Sequence, residues 1–302
     1  MRCRPCLASR RGKLKVAAAG ILPEGPRRSP TSERDVLPPI TDWNDAYANG
    51  AHIDGAEAIA EAWPRRASDL RDRFPPVRLD DRRSDLFLPQ KRPAGLLVFV
   101  HGGYWQQTDA RTWSHLAGGA LARGRAALVA GYELCPRVRI EEIVDQVAAA
   151  IEAAAGRVEG PIVLAGHSAG GHLVAMMNAR GAPLADDTFA RIDRTVAISG
   201  LGDLRPLVRT RLNDALRLDE SEAARLSPIL LHPRAGTRLT CWVGAAERPE
   251  FLRQSRLLAD MWRGLGAATR CVVEDGRHHF DVIDGLADPA SPLMHHLLEE
   301  TS

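Results

Sequence analysis

A serine set between glycines, Gly166-His167-Ser168-Ala169-Gly170, is the first segment of this chain whose residue types and spacing suit covalent chemistry. It directly follows an apolar run, Ile162-Val163-Leu164-Ala165, and opens a stretch of helical spacing. A G-x-S-x-G sequence between strand and helix makes a sharp turn that lifts the serine hydroxyl above the sheet edge. The flanking glycines remove Cβ atoms that would collide with neighbouring backbone. The helix start places free N–H groups, that of Ala169 first, beside a developing oxyanion. Ser168 is therefore the candidate nucleophile. Its competing structural role is that of a helix-capping serine in a glycine turn.

A second segment, His101-Gly102-Gly103-Tyr104-Trp105, stands right after another apolar run, Gly95 to Val100. Small residues there let backbone amides face a cavity at the carboxyl end of a sheet, as in the H-G-G loops that supply oxyanion donors. Gly102 and Gly103 are the candidate donors, with the Ala169 N–H completing the hole. Each such donor lowers a barrier by about 3–4 kcal/mol. His101 is expected to pin the loop rather than act as a base. The two segments lie 67 residues apart (168 − 101), and their joint presence makes a chance match of either less credible.

A serine nucleophile needs a base, and the base needs an orienting acid. In this architecture the chain order is nucleophile, acid, histidine. His278 and His279 follow the last strand-like run, in Asp275-Gly276-Arg277-His278-His279-Phe280. We assign the base to His279, beside Phe280, and leave His278 as the alternative. The preceding strand leads into Gly244-Ala245-Ala246-Glu247-Arg248-Pro249-Glu250. Glu247, 32 residues before His279 (279 − 247), is the candidate acid. Glu250, expected in a first helical turn, and Asp275, on the histidine loop, remain alternatives.

These groups require a sheet to carry them. From about residue 40 the chain alternates strand-like and helix-like segments. Helices are predicted over 56–71, 111–123, 140–155, 169–179, 250–265 and 291–300. Strands are predicted over 77–79, 85–88, 95–100, 126–131, 162–165, 195–198, 239–243 and 270–273. Continuous apolar strands such as Leu96 to Val100 are typical of parallel sheets buried on both faces. The alternation predicts one α/β domain over 41–302, a mostly parallel sheet with helices on both faces. About 35 loosely patterned residues after Ile198 interrupt it.

Composition bounds the rest. The chain has 302 residues, 45% hydrophobic and 26% charged, with 40 Lys and Arg against 38 Asp and Glu. A net charge of +2 makes no general case for nucleic acid or acidic partners. No apolar run approaches the roughly 18–20 residues of a membrane span. Disordered, collagen-like, membrane-spanning and disulfide-scaffold classes are excluded.

Residues 1–40 differ from the remainder. Eight basic residues precede position 30, offset only by Glu24. Ser9 to Lys15 is similar to a twin-arginine export signal, but the apolar stretch after it, Val16 to Leu22, is short and lacks a clean cleavage site. A disordered basic extension and a cytoplasmic location are expected. The five cysteines, an odd number, fit a reducing compartment. Cys3-x-x-Cys6 has no second pair at ligand spacing.

With these motifs in place, residues 40–300 resemble the α/β-hydrolase family, and within it the kynurenine formamidase (arylformamidase) and esterase group. The resemblance rests on His101 to Trp105, on Gly166 to Leu173, on Glu247 to Ser255 and on His279-Phe280. It implies an eight-stranded sheet, a Ser168–Glu247–His279 triad, and an oxyanion hole from Gly102, Gly103 and Ala169. It also implies cleavage of a formyl amide of an aromatic amine, as in tryptophan catabolism. Animal formamidases carry Asp where Glu247 stands. In this fold the segment 199–236 lies where a cap is usually inserted.

A formyl group needs little room, so the leaving side is expected to be roomy and apolar. Tyr104, Trp105, Trp43 and Tyr47 are the candidate pocket residues. No metal or cofactor is expected, because a serine triad needs none and no histidine cluster has ligand spacing. The expected partner is a small acyl amide or ester, with no nucleic acid or membrane, and a homodimer is the default assembly. Two other readings stand beside the formamidase: a general carboxylesterase on small acyl esters, and a non-catalytic hydrolase-fold binding protein.

Overall fold

Along the strand Leu96–Val100, consecutive side chains enter opposite cores: Leu96, Val98 and Val100 one, Leu97 and Phe99 the other. A strand alternates its side chains between faces, so a run that is apolar throughout demands cover on both sides. In the computed structural model, which describes residues 39–79 and 84–298, helices supply that cover. The basic extension, with Cys3 and Cys6, falls almost wholly on residues 1–38, outside the described residues.

Eight strands form one sheet: β1 (Val77–Arg78), β2 (Asp85–Phe87), β3 (Leu96–Val100), β4 (Ala126–Ala130), β5 (Ile162–His167), β6 (Ile192–Ile198), β7 (Arg238–Gly244) and β8 (Ala268–Glu274). Their order is β1-β2-β4-β3-β5-β6-β7-β8. The six strands β3 to β8 run parallel, whereas β1 and β2 pair antiparallel at one edge. The sheet is therefore mixed, a refinement of the mostly parallel sheet expected.

Ten α-helices are described: α1 (Trp43–Ala46), α2 (Ala56–Arg73), α3 (Gly118–Ala122), α4 (Ile140–Ala155), α5 (Ala169–Met176), α6 (Asp186–Ala190), α7 (Asn213–Leu216), α8 (Glu220–Arg225), α9 (Pro249–Gly264) and α10 (Pro292–Leu298). In α4 the stripe of Ile140, Ile143, Val144, Val147, Ala148 and Ile151 is buried. Its start is held by Glu142, whose carboxylate accepts from the Arg139 N–H at 2.8 Å, as in a capping box. None of these helices is long and apolar enough to cross a membrane.

Two predictions of local structure change. The helix expected over 111–123 is a 3-10 segment, Ala110–Ala117, followed by the short α3. Gly118 and Gly119 disfavour a continuous α-helix, and Gly119 lies so close to the Leu286 carbonyl that a Cβ would sit 2.5 Å away. The loosely patterned segment 199–236 contains α7, α8 and two 3-10 turns, Arg205–Arg209 and Pro228–Leu230.

Candidate active site

The turn between β5 and α5 is tight enough to dictate its residue types. A Cβ on Gly166 would sit 2.1 Å from the Gly170 carbonyl, and one on Gly170 would sit 2.0 Å from the Val100 carbonyl. Only glycine fits either position. Between them Ser168 has φ 53° and ψ −115°, a conformation that costs a non-glycine residue energy and is concentrated at functional sites. Its N–H donates to the Ile198 carbonyl at 2.8 Å, which pins the turn to β6. The Ser168 side chain makes no capping hydrogen bond to α5. The capping role therefore does not account for this serine.

His279 and Ser168 line the same cavity, of about 500 Å³. The imidazole is packed between Phe251 and His167, each 4.6 Å away by ring centroids. Phe280 is farther, at 6.2 Å, and lies on the cavity wall instead. His167 donates its Nε2–H to the His279 carbonyl at 2.9 Å. Burial first, and then the neighbouring His279, hold the His167 imidazole well below the ordinary histidine range. His167 is thus a neutral ring that fixes the backbone of His279. His278 is turned away, accepting the Phe280 N–H at Nδ1 and lying 3.1 Å from the Asp281 carboxylate.

Glu247, on the turn after β7, places Oε2 2.6 Å from Nδ1 of His279. Its other oxygen accepts the Ser199 hydroxyl at 2.5 Å and the Gly244 N–H at 2.8 Å. These three contacts are shielded from solvent, since the Glu247 side chain is buried completely. A carboxylate at Nδ1 keeps the proton there and leaves Nε2 with its lone pair. Glu250 is committed elsewhere, accepting from Tyr47 Oη at 2.9 Å and pairing with Arg253 at 2.7 Å. Asp275 is exposed. Ser199, which directly follows β6 with φ 50°, was not anticipated. The signal available was its place at the carboxyl end of a strand, where open α/β sheets gather their ligands.

The loop after β3 carries a run of unusual backbone: Gly103 at φ 106°, Tyr104 at 50° and Trp105 at 58°. Gly103 lines the cavity. Its carbonyl accepts the N–H groups of Gln106 and Gln107, both at 2.9 Å. Gly102 lies against the elbow, where a Cβ would be 3.0 Å from that of Ser168. Among the described residues no hydrogen bond takes the N–H of Gly102 or Gly103, and Ala169 begins α5, where helical N–H groups lack intrahelical partners. His101 pins the loop: its ring stacks on Tyr132 at 4.2 Å, and Nδ1 donates to the Gly102 carbonyl at 2.8 Å. Burial lowers its pKa to about 4, so the ring is neutral.

Five aromatic residues, Tyr47, Trp63, Tyr104, Trp113 and Phe280, line the cavity together with polar ones such as Asn44, Asn49, Gln106 and Thr210. Tyr104 donates its hydroxyl to the Tyr47 carbonyl and accepts from Asn49 Nδ2 at 3.3 Å. Burial, and then the Glu247 charge, push the Tyr104 phenol up, so it stays protonated. Two expected pocket residues are elsewhere. Trp105 is fully buried, edge-on to His172 at 5.1 Å, because its positive φ turns it into the core beneath the loop. Trp43 stacks on the far side of Tyr47 at 6.2 Å and supports that ring without lining the cavity. Asn49, Trp63 and Trp113 had no motif to mark them, and Phe280 was marked only as a neighbour of His279. They meet only because the N-terminal segment, the 3-10 segment and the histidine loop fold over one sheet end.

Comparisons with known proteins agree with this architecture. A family described as alpha/beta hydrolase fold matches residues 97–281. A kynurenine formamidase of Drosophila melanogaster is 31% identical over 220 residues, covering 67% of this chain and 72% of that protein. A solved structure from Silicibacter sp. TM1040, described provisionally as a thioesterase, is 45% identical with a TM-score of 0.81, covering 85% of this chain and 99% of the other. An esterase of Pyrobaculum calidifontis, 18% identical with a TM-score of 0.61 over 76% of this chain and 86% of its own, shares the fold.

Proposed function

The chain belongs to the α/β-hydrolase family and is a hydrolase-type enzyme related to arylformamidases and esterases, and we propose that it is a serine hydrolase that removes a formyl group from the amide nitrogen of an aromatic amine. The observation that carries this reading is the wall of the cavity. Trp63, Trp113, Tyr104 and Phe280 surround the space in front of Ser168 and His279, which suits a flat aromatic leaving group. The likeness to a kynurenine formamidase supports the same substrate class.

His279 Nε2 takes the Ser168 proton as Oγ attacks the formyl carbon, and the carbonyl electron pair moves onto oxygen. The N–H groups of Gly102, Gly103 and Ala169 receive that oxyanion. The C–N bond then breaks, and the nitrogen leaves with the proton from His279. Water, deprotonated by the same imidazole, attacks the formyl ester of Ser168 and releases formate. Glu247 remains ionised throughout and stabilises the imidazolium. An anilide nitrogen leaves more readily than an alkyl amine, so an esterase-like site suffices.

The second reading is an esterase or thioesterase using the same residues, favoured by the 45% identical structure. Purified protein tests both. N-formylkynurenine, p-nitrophenyl acetate and an acetyl thioester are assayed side by side, with Ser168→Ala as control. The formamidase reading expects kcat/KM for the formamide at least about tenfold above either ester, a difference of about 1.4 kcal/mol at the transition state, and loss of turnover in the variant. Ester or thioester turnover without formamide turnover overturns it.

A further inference from the structure

One permanently charged residue, the exposed Arg211, lines the cavity; among the other lining residues there is no Asp, Glu, Lys or Arg. We propose that Arg211 is an anion subsite, and that the enzyme prefers substrates whose leaving group carries a carboxylate. This rests on the reading that Ser168 attacks a carbonyl in this cavity, but not on the acyl group being formyl.

Arg211 stands on the segment after β6, between Thr210 and Leu212, which also line the cavity. The segment is tied to the wall at that point. The Arg211 N–H donates to Asn44 Oδ1 at 2.8 Å, and the next carbonyl, of Leu212, accepts from Gln106 Nε2 at 3.1 Å. One tie reaches the N-terminal segment and the other the glycine loop beside Ser168. The backbone carrying the guanidinium is thus positioned before any ligand arrives.

Its charge is also uncommitted. Asp45 pairs with Arg248 and His52, Asp203 with Arg205 and Glu222 with Arg139, and Asp214, whose N–H donates to the Arg211 carbonyl at 3.2 Å, forms no ion pair with Arg211 among the described residues. Arg211 forms no ion pair among the described residues, whereas Arg205, six residues earlier, grips Asp203 with two nitrogens. A guanidinium presents a rigid fork of donors that matches a carboxylate, and such charge-assisted pairs are stronger than neutral hydrogen bonds. A cavity that shares aromatic residues, a reacting serine and one arginine suits an aryl amide or ester with an acidic side arm, such as an α-amino acid.

The test compares charge at constant shape. N-formylkynurenine is paired with its α-carboxamide, and 4-acetoxyphenylacetate with 4-acetoxyphenylacetamide. In each pair the ratio of kcat/KM, acid over amide, is measured for wild type, Arg211→Gln and Arg211→Lys. Arg211→Gln is expected to lower the ratio by about tenfold, mainly through KM of the acid, with Arg211→Lys intermediate. Raising salt from about 0.05 to 0.5 M, which shortens electrostatic reach severalfold, is expected to lower the wild-type ratio and not that of Arg211→Gln. A ratio unchanged by Arg211→Gln overturns the proposal. A shift in the ester pair with no formamide turnover keeps the subsite and rejects the formamide reading.

Discussion

Ser199 donates its hydroxyl to Oε1 of Glu247 at 2.5 Å, so the carboxylate that meets His279 through Oε2 is held from behind by the end of the neighbouring strand. With the Gly244 N–H on the same oxygen, Glu247 cannot rotate without breaking two buried hydrogen bonds. The proposed acid is oriented before substrate arrives, which is how a site avoids reorganisation cost during reaction.

Glu247→Gln is therefore predicted to be worse than a simple loss of charge. Two donors, Ser199 Oγ–H and Gly244 N–H, will hold the amide oxygen and turn its NH₂ toward Nδ1. That forces the imidazole proton onto Nε2, the wrong tautomer for a base. Turnover of p-nitrophenyl acetate should fall about 10³–10⁴-fold, as for other triads given the wrong tautomer, with the circular dichroism spectrum unchanged. A loss below tenfold would remove Glu247 from the triad. Ser199→Ala, which keeps the carboxylate, should cost about tenfold or less in kcat.

Gly103→Ala tests the oxyanion loop. The φ of 106° disfavours any side chain, and the added Cβ would sit 2.3 Å from the Gln107 carbonyl. The loop must shift, and its N–H groups with it. We predict a fall in kcat of about 10²–10³-fold, with KM changed less, in steady-state kinetics. Near-wild-type turnover would show that the donors lie elsewhere.

Gln254→Leu tests the scaffold beneath the segment that bears Arg211. Gln254 Oε1 accepts the N–H groups of Gly202 and Asp203 at 2.9 and 2.7 Å, and Nε2 donates to the Asp203 carbonyl at 3.0 Å. A leucine strands two buried donors and takes a donor from three acceptors, the Asp203 carbonyl, Tyr47 Oη and Glu250 Oε1. We predict destabilisation of about 2–4 kcal/mol, read from urea unfolding. An unchanged midpoint would show that water or rearrangement satisfies those groups.

The buried histidines predict acid sensitivity. Burial lowers His172 from 6.5 to about 4, and His101 likewise to about 4. The unfolded chain takes up these protons near pH 6.5 while the folded chain does not. Stability is thus complete above about pH 6.5 and declines as pH falls toward 4, by on the order of 3 kcal/mol for each such ring. His172→Gln keeps a donor for the Leu226 carbonyl, which His172 Nε2 reaches at 2.8 Å, and removes the titration. Its unfolding free energy should fall less steeply between pH 6.5 and 5 than that of wild type. Equal slopes would show that His172 contributes nothing to the acid sensitivity.

The chain by itself determined much of what depends on neighbours in sequence. Continuous apolar runs named β3, β4 and β5, since a strand buried on both faces has no polar side. The elbow was legible because its glycines are required by contacts within the turn itself. Glu247 and His279 were legible as turns following successive strands, where parallel topology sends each strand's carboxyl end to one edge. What only the tertiary structure decided is which side chains meet across that edge. Trp105 follows Tyr104 by one residue, yet two successive positive φ values send Tyr104 to the cavity and Trp105 into the core. Trp63, Trp113 and Phe280 come together from a helix, a 3-10 segment and a loop that no spacing rule connects. Ser199 reaches Glu247, 48 residues away, because β6 and β7 are adjacent in the sheet. Local spacing encodes backbone geometry, whereas a pocket wall is the sum of packing choices made by distant segments, and those exist only once the sheet has assembled.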